Sequence, residues 1–254
     1  HVIRTALRER KPAYFEIACN VASAECPRPG PVSSLLAELS ADKESLKAAV
    51  AASKEFLEAS ERAVMLIGTK LRSSHATEEA EALADRLGCG VATMAAAKGY
   101  FAEDHAGFRG LYWGEVSSPG TQELVEGADA LVCVAPVFND YSTVGWKSWP
   151  KGDKVLLAEP NRVTVKGHSY EGFTLKEFLS ELAKVAPSRP LSAQESTYVK
   201  PEIAAAPGDA RLTNDEMTRQ ITEMLTSKTT LSAETGDSWF NAMRMHLPRG
   251  ARLE

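Results

Sequence analysis

Cysteine and histidine are scarce in this chain of 254 residues, and neither is spaced for a metal site. The four cysteines form no C-x-x-C pair, and the five histidines form no H-x-x-x-H or H-E-x-x-H pattern. The sequence therefore argues against a transition metal held by these side chains. Cys89 lies between glycines and Cys133 within an apolar run, so we expect reduced, partly buried thiols in a cytoplasmic protein.

Long apolar runs and dense basic segments are also missing. No apolar run approaches the roughly 20 residues that a membrane-spanning helix requires, so no membrane partner is expected. The chain has 29 basic and 34 acidic residues, a net charge of -5, and no stripe of lysine and arginine. Nucleic acid is therefore not an expected partner. An apolar content of 44% and a charged content of 25% are typical of a globular protein.

Apolar strands alternate with amphipathic helices through the middle of the chain. The pattern predicts strands over 63–67, 91–94, 130–135 and 154–158, and helices over 44–60, 77–87, 121–126 and 175–185. Continuous apolar strands between such helices are typical of a parallel sheet covered on both faces. Because crossovers between parallel strands are right-handed, the predicted fold class is α/β with a doubly wound parallel sheet.

Two segments rich in proline and small residues flank this middle part, and each is interpreted as a linker. Before the first linker, the pattern predicts a helix over 2–10 and a strand over 13–18. After the second linker, a new helix begins near Thr213 or Asn214, the two candidates for its N-cap. We therefore expect partial α/β domains on both sides, with these bounds: domain end 1–30, linker 31–43, central domain 44–186, linker 187–210 and domain start 211–254.

Three loops follow predicted strands, at the sheet edge where open α/β folds bind ligands. The turn 68–70 matches no glycine-rich phosphate motif, so a plain turn is favoured. Lys98 is interpreted either as a contact to a nucleotide-like ligand or, preferably, as a solvated or helix-capping lysine. The loop 138–143 is either a pocket lining with two aromatic side chains or a turn capped by Asn139 or Asp140. The sequence favours neither interpretation of this loop.

The segment 229–244 reads as a strand, a tight polar turn and a helix start. Exposed amides at such a helix start suit an anion such as phosphate, and Gly236 allows close approach. Glu234 and Asp237 could form a carboxylate pair for acid–base chemistry. The favoured interpretation is that Asp237 caps the helix.

Five segments, taken in order, carry a resemblance that runs along the whole chain. They are residues 11–17, 92–98, 113–116, 135–143 and 233–241. Together they resemble bacterial pyruvate decarboxylases, which are thiamin-diphosphate-dependent 2-oxo acid decarboxylases. That family has a pyrimidine-binding, a central and a diphosphate-binding domain, which agrees with the division above.

The resemblance implies roles for six residues. Thr235, Gly236, Asp237 and Ser238 are expected to bind the cofactor, and Tyr141, Thr235 and Trp239 to lie near the substrate. It also implies thiamin diphosphate with Mg²⁺, a small 2-oxo acid substrate, a cytoplasmic location and a homotetramer built as a dimer of dimers.

The same resemblance implies that other functional groups lie outside this chain. These are the segment that holds Mg²⁺, the glutamate that activates the cofactor and a pair of histidines. We therefore expect no catalytic residue and no metal ligand here, and a chain that is inactive alone. Two other interpretations stay open: an indolepyruvate or phenylpyruvate decarboxylase, and a central domain that binds a nucleotide or is purely structural.

Overall fold

A seven-stranded sheet forms the centre of the computed structural model, which describes residues 2–9, 12–31, 41–148, 150, 152–191, 198, 200–208 and 211–254. The strands lie in the order β3-β2-β1-β4-β5-β6-β7. Their bounds are Ala63–Ile67 (β1), Gly90–Met94 (β2), Phe108–Tyr112 (β3), Ala130–Val134 (β4), Val155–Glu159 (β5), Arg162–Val165 (β6) and His168–Glu171 (β7). The first five strands are parallel, which confirms the predicted fold class.

Strands β6 and β7 form an antiparallel hairpin at the edge of the sheet, which the sequence pattern did not predict. A two-residue turn at Lys166 and Gly167 joins them, and both residues have positive φ angles, 48° and 77°. Such turns match the natural twist of a hairpin. The two strands are short, and only Val163 and Val165 of β6 are buried, so they lack the continuous apolar run on which the prediction of strands relied.

Helices cover both faces of the sheet, and α6 starts with a capping box. The bounds are Val2–Glu9 (α1), Lys43–Glu58 (α2), Lys70–Ser73 (α3), Thr77–Leu87 (α4), Thr121–Glu126 (α5), Leu175–Val185 (α6), Asn214–Met224 (α7) and Asp237–Met243 (α8). In the capping box, Thr174 accepts the amide N–H of Glu177, whose carboxylate accepts the amide of Thr174. Thr213 caps α7 by accepting the amide of Glu216, which confirms one of its two predicted caps.

Alternate residues of each strand enter two separate cores. Met65 and Ile67 of β1 face a core shared with α2, α4 and α6. Val64 and Leu66 face a second core, shared with α5. All four side chains are fully buried, as expected for a parallel sheet covered on both faces. These two cores hold most of the buried apolar surface in the described part of the chain.

The predicted strand over 13–18 is wrong. Residues 13–18 belong to no strand and to no sheet among the described residues. Tyr14, Phe15 and Ile17 are 84%, 60% and 61% exposed, so this apolar run has nothing in the described structure to pair with. The preceding helix is confirmed as α1, although Arg10 and Lys11 lie outside the described residues.

The linkers fall partly outside the described residues, at 32–40 in the first and at 192–197, 199, 209 and 210 in the second. The domain bounds therefore stay predictions. Within the described part of the chain, no helix has the length and apolar character needed to cross a membrane.

A third, small core lies in the last part of the chain. Two short strands, Thr230–Leu231 (β8) and Arg252–Leu253 (β9), pair in parallel. Behind them, four buried apolar side chains form the core: Ala242, Leu247, Ala251 and Leu253. We call residues 211–254 the C-terminal segment and residues 41–191 the middle domain.

Candidate functional site

Four aromatic rings meet where the middle domain contacts the C-terminal segment. Trp113 follows β3, Tyr141 lies in the loop after β4, and Trp239 and Phe240 lie in the first turns of α8. The Trp113 ring centroid lies 5.0 Å from that of Tyr141, 5.3 Å from that of Trp239 and 5.5 Å from that of Phe240. Ring centroids of Tyr141 and Trp239 are 5.9 Å apart. We call these four residues the aromatic cluster.

The structure thus brings together two of the three residues predicted to lie near a substrate. Tyr141 and Trp239 are 98 residues apart in the sequence and belong to different parts of the fold. Thr235, the third, lies in the exposed turn that precedes α8. The role of each residue stays a prediction, but their placement forms one candidate site rather than two.

The loop 138–143 owes its shape to its own polar side chains. The Asn139 carboxamide oxygen accepts the amide N–H of Ser142 at 2.7 Å, and the Ser142 hydroxyl accepts the amide of Asn139 at 3.0 Å. Asp140 accepts the amide N–H of Tyr141 at 2.9 Å. The predicted turn stabilised by Asn139 or Asp140 is therefore present. Because Tyr141 is 49% exposed beside Trp239, the turn also leaves an aromatic ring at the candidate site.

The residues 235–238, which we call the 235–238 turn, have the open amides that the sequence predicts. Among the described residues, none accepts a hydrogen bond from the amide N–H of Thr235, Asp237 or Ser238, and all three residues are exposed. Gly236 is the N-cap of α8 and offers no side-chain cap. A Cβ on Gly236 would lie 2.8 Å from the Glu234 carboxylate, so a side chain there would crowd the turn. These residues fit an anionic group such as a diphosphate.

The favoured interpretation of Asp237 as a helix cap is wrong. Asp237 is the first residue of α8, and the cap position belongs to Gly236. An acidic side chain in the first turn still interacts favourably with the helix dipole. That carboxylate would repel an anion at the same helix start unless a cation offset its charge.

Lys98 is buried rather than solvated, and it is the C-cap residue of the short 3-10 helix Ala95–Ala97, which confirms the helix-capping interpretation. Its ammonium Nζ lies 2.6 Å from Oε1 of Glu103, and each side chain is 1% exposed. The other Glu103 oxygen, Oε2, accepts the amide N–H of Leu247 at 3.0 Å and lies 3.5 Å from Nδ1 of His246. This buried pair therefore joins the middle domain to the C-terminal segment.

Burial and neighbouring charge shift the pKa of Glu103 in opposite directions. Burial favours the neutral acid, but the Lys98 ammonium and hydrogen bonds from His246, Lys98 and the amide of Leu247 favour the carboxylate. Together these partners hold the pKa of Glu103 below its ordinary value. The phenol of Tyr198 stacks on His246, and burial together with Glu103 raises the pKa of Tyr198.

Backbone closes the sheet edge where a nucleotide would be expected. The strand order reverses between β1 and β4, and ligands of doubly wound sheets bind in the crevice at that point. A Cβ on Gly68 would lie 2.2 Å from Cα of Pro136, so the two loops touch directly. The Lys70 amide also donates to the carbonyl of Ala135 at 3.0 Å. The turn 68–70 is therefore a structural turn that leads into α3, as the sequence favoured.

Two members of the candidate site were not singled out as functional residues from the sequence. Trp113 and Phe240 lay within the segments that carried the resemblance, but neither had a spacing that assigned it a role. Their place in the site depends on ring contacts between residues far apart in the sequence, and the spacing pattern of a single sequence does not reveal such contacts. Cys133 follows expectation: it is buried, and burial raises its pKa to about 12, which makes it a poor nucleophile.

Comparison with known proteins places this geometry in a family. Residues 50–174 match the family model described as "Thiamine pyrophosphate enzyme, central domain". The solved structure of benzoylformate decarboxylase from Polynucleobacter necessarius superposes with a TM-score of 0.61 at 19% identity. That match covers 95% of this chain and 44% of the other, and at this identity it shows the fold. The family-model match lies within the middle domain, whose fold is shared by this solved structure.

Curated relatives match the chain beyond this central domain. The pyruvate decarboxylase of Neurospora crassa is 40% identical over 255 residues, which is 99% of this chain. Pyruvate decarboxylase 1 of Arabidopsis thaliana is 39% identical over 99% of this chain. The chain spans 45% and 42% of the length of these two relatives. Both are eukaryotic, so they give no support to the bacterial grouping that the sequence resemblance implied.

Metal ligation can be assessed for the described residues. Within them, no group of three or more His, Cys, Asp or Glu side chains is arranged to hold a metal ion. The Mg²⁺ expected from the resemblance therefore stays a prediction about the longer protein.

Proposed function

We propose that this chain is part of a pyruvate decarboxylase, and that the longer protein converts pyruvate to acetaldehyde and CO₂ with thiamin diphosphate. The observation that carries the proposal is 40% identity to the Neurospora crassa enzyme over 99% of the chain. The matched region covers 99% of the chain, so it includes the 235–238 turn and the loop 138–143, the two parts of the candidate site. It is therefore not confined to the central domain that many thiamin enzymes share.

The chain contributes anion contacts to this reaction. The amides of Thr235, Asp237 and Ser238 would donate to the diphosphate, because no described residue occupies them. When bound, thiamin diphosphate supplies an electron sink for the bond that breaks as CO₂ leaves. Mg²⁺, held by residues outside this chain, would offset the charge of the diphosphate and of Asp237.

The aromatic cluster contributes shape on the substrate side. Tyr141 and Trp239 would form a wall beside the reacting end of the cofactor, and Thr235 would face the substrate with its hydroxyl. A wall of large rings leaves little room and excludes water, so it suits a small 2-oxo acid.

Three further features belong to the same proposal. The longer protein would be a cytoplasmic homotetramer arranged as a dimer of dimers. The described chain alone would be inactive, because its residues supply neither the Mg²⁺ ligands nor the glutamate that the family uses to activate the cofactor. The purified 254-residue chain with cofactor and Mg²⁺ should therefore release no acetaldehyde, and any release above background would contradict this part.

The test uses the full-length polypeptide that carries this chain. With thiamin diphosphate and Mg²⁺, it should release acetaldehyde and CO₂ from pyruvate, and omission of the cofactor should abolish the release. Indolepyruvate and phenylpyruvate serve as matched substrates, and we expect a lower kcat/KM for both. No turnover of pyruvate, or a preference for an aromatic 2-oxo acid, would overturn the proposal.

A nucleotide-binding central domain is the weaker alternative. Its crevice at the sheet edge is filled by the contact between Gly68 and Pro136. A purely structural central domain remains compatible with the proposal, because the site lies at the domain's contact with the C-terminal segment.

A further inference from the structure

Trp113 contacts both parts of the candidate site with one side chain. Its indole Nε1–H donates to the backbone carbonyl of Tyr141 at 2.7 Å. Its ring meets Trp239 edge-on, with 86° between the planes, and stacks on Phe240 with 15° between the planes. Trp113 is 7% exposed, whereas Tyr141 and Phe240 are about half exposed. It is therefore the buried base on which the more exposed rings rest.

The backbone around Trp113 is fixed independently of those rings. Its amide N–H donates to the hydroxyl of Ser117 at 2.8 Å, and that hydroxyl donates to the carbonyl of Gly114 at 2.6 Å. Gly114 has a φ of 53°, and a Cβ there would lie 2.2 Å from the hydroxyl of Ser148. A rigid turn therefore sets the direction of the indole.

Tryptophan is the side chain that can make both kinds of contact from this position. A phenylalanine ring would preserve packing but would remove the indole donor at 2.7 Å, and the Tyr141 carbonyl would keep only the longer bond from the Val144 amide at 3.3 Å. The loss of the shorter, part-buried hydrogen bond costs free energy, and it removes the tie between the loop 138–143 and Trp113. Small shifts in groups that position a substrate have large kinetic effects.

We propose that Trp113 is a positioning residue that sets the distance between Tyr141 and Trp239 in the substrate pocket. It acts on the loop 138–143 through the Tyr141 carbonyl and on α8 through ring contact with Trp239. It touches neither substrate nor cofactor in this role. The inference rests on the proposed function for its kinetic consequence, and on geometry alone for the coupling between the two rings.

The test compares W113F with W146F in the full-length enzyme. Both variants exchange an indole for a phenyl ring, and Trp146 is 52% exposed in the polypeptide that follows the loop 138–143. W113F should raise the KM for pyruvate about fivefold, the effect of one lost hydrogen bond, and change kcat less than about twofold. The affinity for thiamin diphosphate should not change. W146F should leave all three quantities as in the wild type.

Near-ultraviolet circular dichroism gives a readout that does not depend on turnover. Two indole rings in contact give a joint near-ultraviolet dichroism band, so W113F and W239F should each remove the band from the Trp113–Trp239 pair. The double variant should lose no more dichroism than either single variant. W146F should keep the band. Additive losses in the double variant, or a KM for W113F equal to that of W146F, would overturn the inference. If the wild type releases no acetaldehyde, the proposed function fails, and the dichroism cycle still decides whether Trp113 couples the two rings.

Discussion

The middle domain and the C-terminal segment are stabilised in different ways. The middle domain buries two apolar cores, one on each face of its sheet. The C-terminal segment has a core of four buried side chains and a two-stranded sheet. It meets the middle domain through the hydrogen bond from the Leu247 amide to Glu103, the aromatic cluster and surface ion pairs. The two larger cores therefore lie within the middle domain, whereas the candidate site lies at its contact with the C-terminal segment.

The residues that hold the sheet together are therefore largely different from the residues that form the candidate site. The sheet edge that would bind a ligand in a doubly wound fold is closed by backbone contact between Gly68 and Pro136. The exposed amides and rings lie instead at the contact with the C-terminal segment. A change in the sheet should therefore alter stability, and a change at the contact should alter binding or the coupling between the two parts.

The largest effect is expected at the buried ion pair. Glu103→Leu should lower the free energy of unfolding by about 3–5 kcal/mol, because it leaves the Lys98 ammonium buried without its partner. The double variant Lys98→Met with Glu103→Leu should recover much of that loss. Urea denaturation followed by tryptophan fluorescence measures both. Equal losses in the single and double variants would mean that the pair does not act as a unit.

A smaller effect is expected at the closed sheet edge. Gly68→Ala should cost about 2–3 kcal/mol, because the added methyl group collides with Pro136 backbone that cannot move easily. Gly208→Ala is the matched control, since nothing lies within 4 Å of a Cβ there. Thermal denaturation should separate the two variants. A Gly68→Ala protein as stable as the control would show that the edge can open, and would revive the nucleotide alternative.

The pH dependence of stability should report the same ion pair. The pKa of Glu103 is lowered from its ordinary value of 4.5, so its contribution is fully present above that pH. The contribution is lost as the pH falls through the lowered pKa of the folded state. Glu103→Gln removes this titration. Urea midpoints measured between neutral and acidic pH should therefore fall more steeply for the wild type than for the variant, and parallel curves would contradict the assignment.

The smallest effect is expected at a surface link. Arg249 pairs with Glu81 at 3.0 Å and with Asp104 at 3.1 Å, but its side chain is 52% exposed. Arg249→Ala should cost less than about 1 kcal/mol, because water and salt screen such pairs. The loss should shrink further in high salt. If Arg249→Ala destabilised the protein as much as Glu103→Leu, surface ion pairs would be a main source of the attraction between the C-terminal segment and the middle domain.

The sequence predicted the middle domain closely where its patterns were simple. Uniform apolar strands and amphipathic helices placed β1 and α4 at their observed bounds. Strand β3 was missed because Arg109 and Gly110 interrupt its apolar run. In the structure the Arg109 guanidinium is buried and donates to the carbonyls of Ala106 and Phe108, a solution that the pattern does not reveal.

The candidate site was only partly predictable for the same reason. The 235–238 turn is local, so a strand, a polar turn and a helix start were enough to find it. Trp113 contacts Trp239, and Glu103, the partner of Lys98, accepts the amide of Leu247, so both contacts reach far along the chain. A side chain with distant partners has no signature in the spacing of its neighbours.

Hydrogen–deuterium exchange of the full-length protein with and without thiamin diphosphate tests the central claim most directly. If the cofactor binds where the C-terminal segment meets the middle domain, the amides of Thr235, Asp237 and Ser238 should become protected, and the turn 68–70 should exchange as before. Protection at 68–70 with no change at the 235–238 turn would contradict the account.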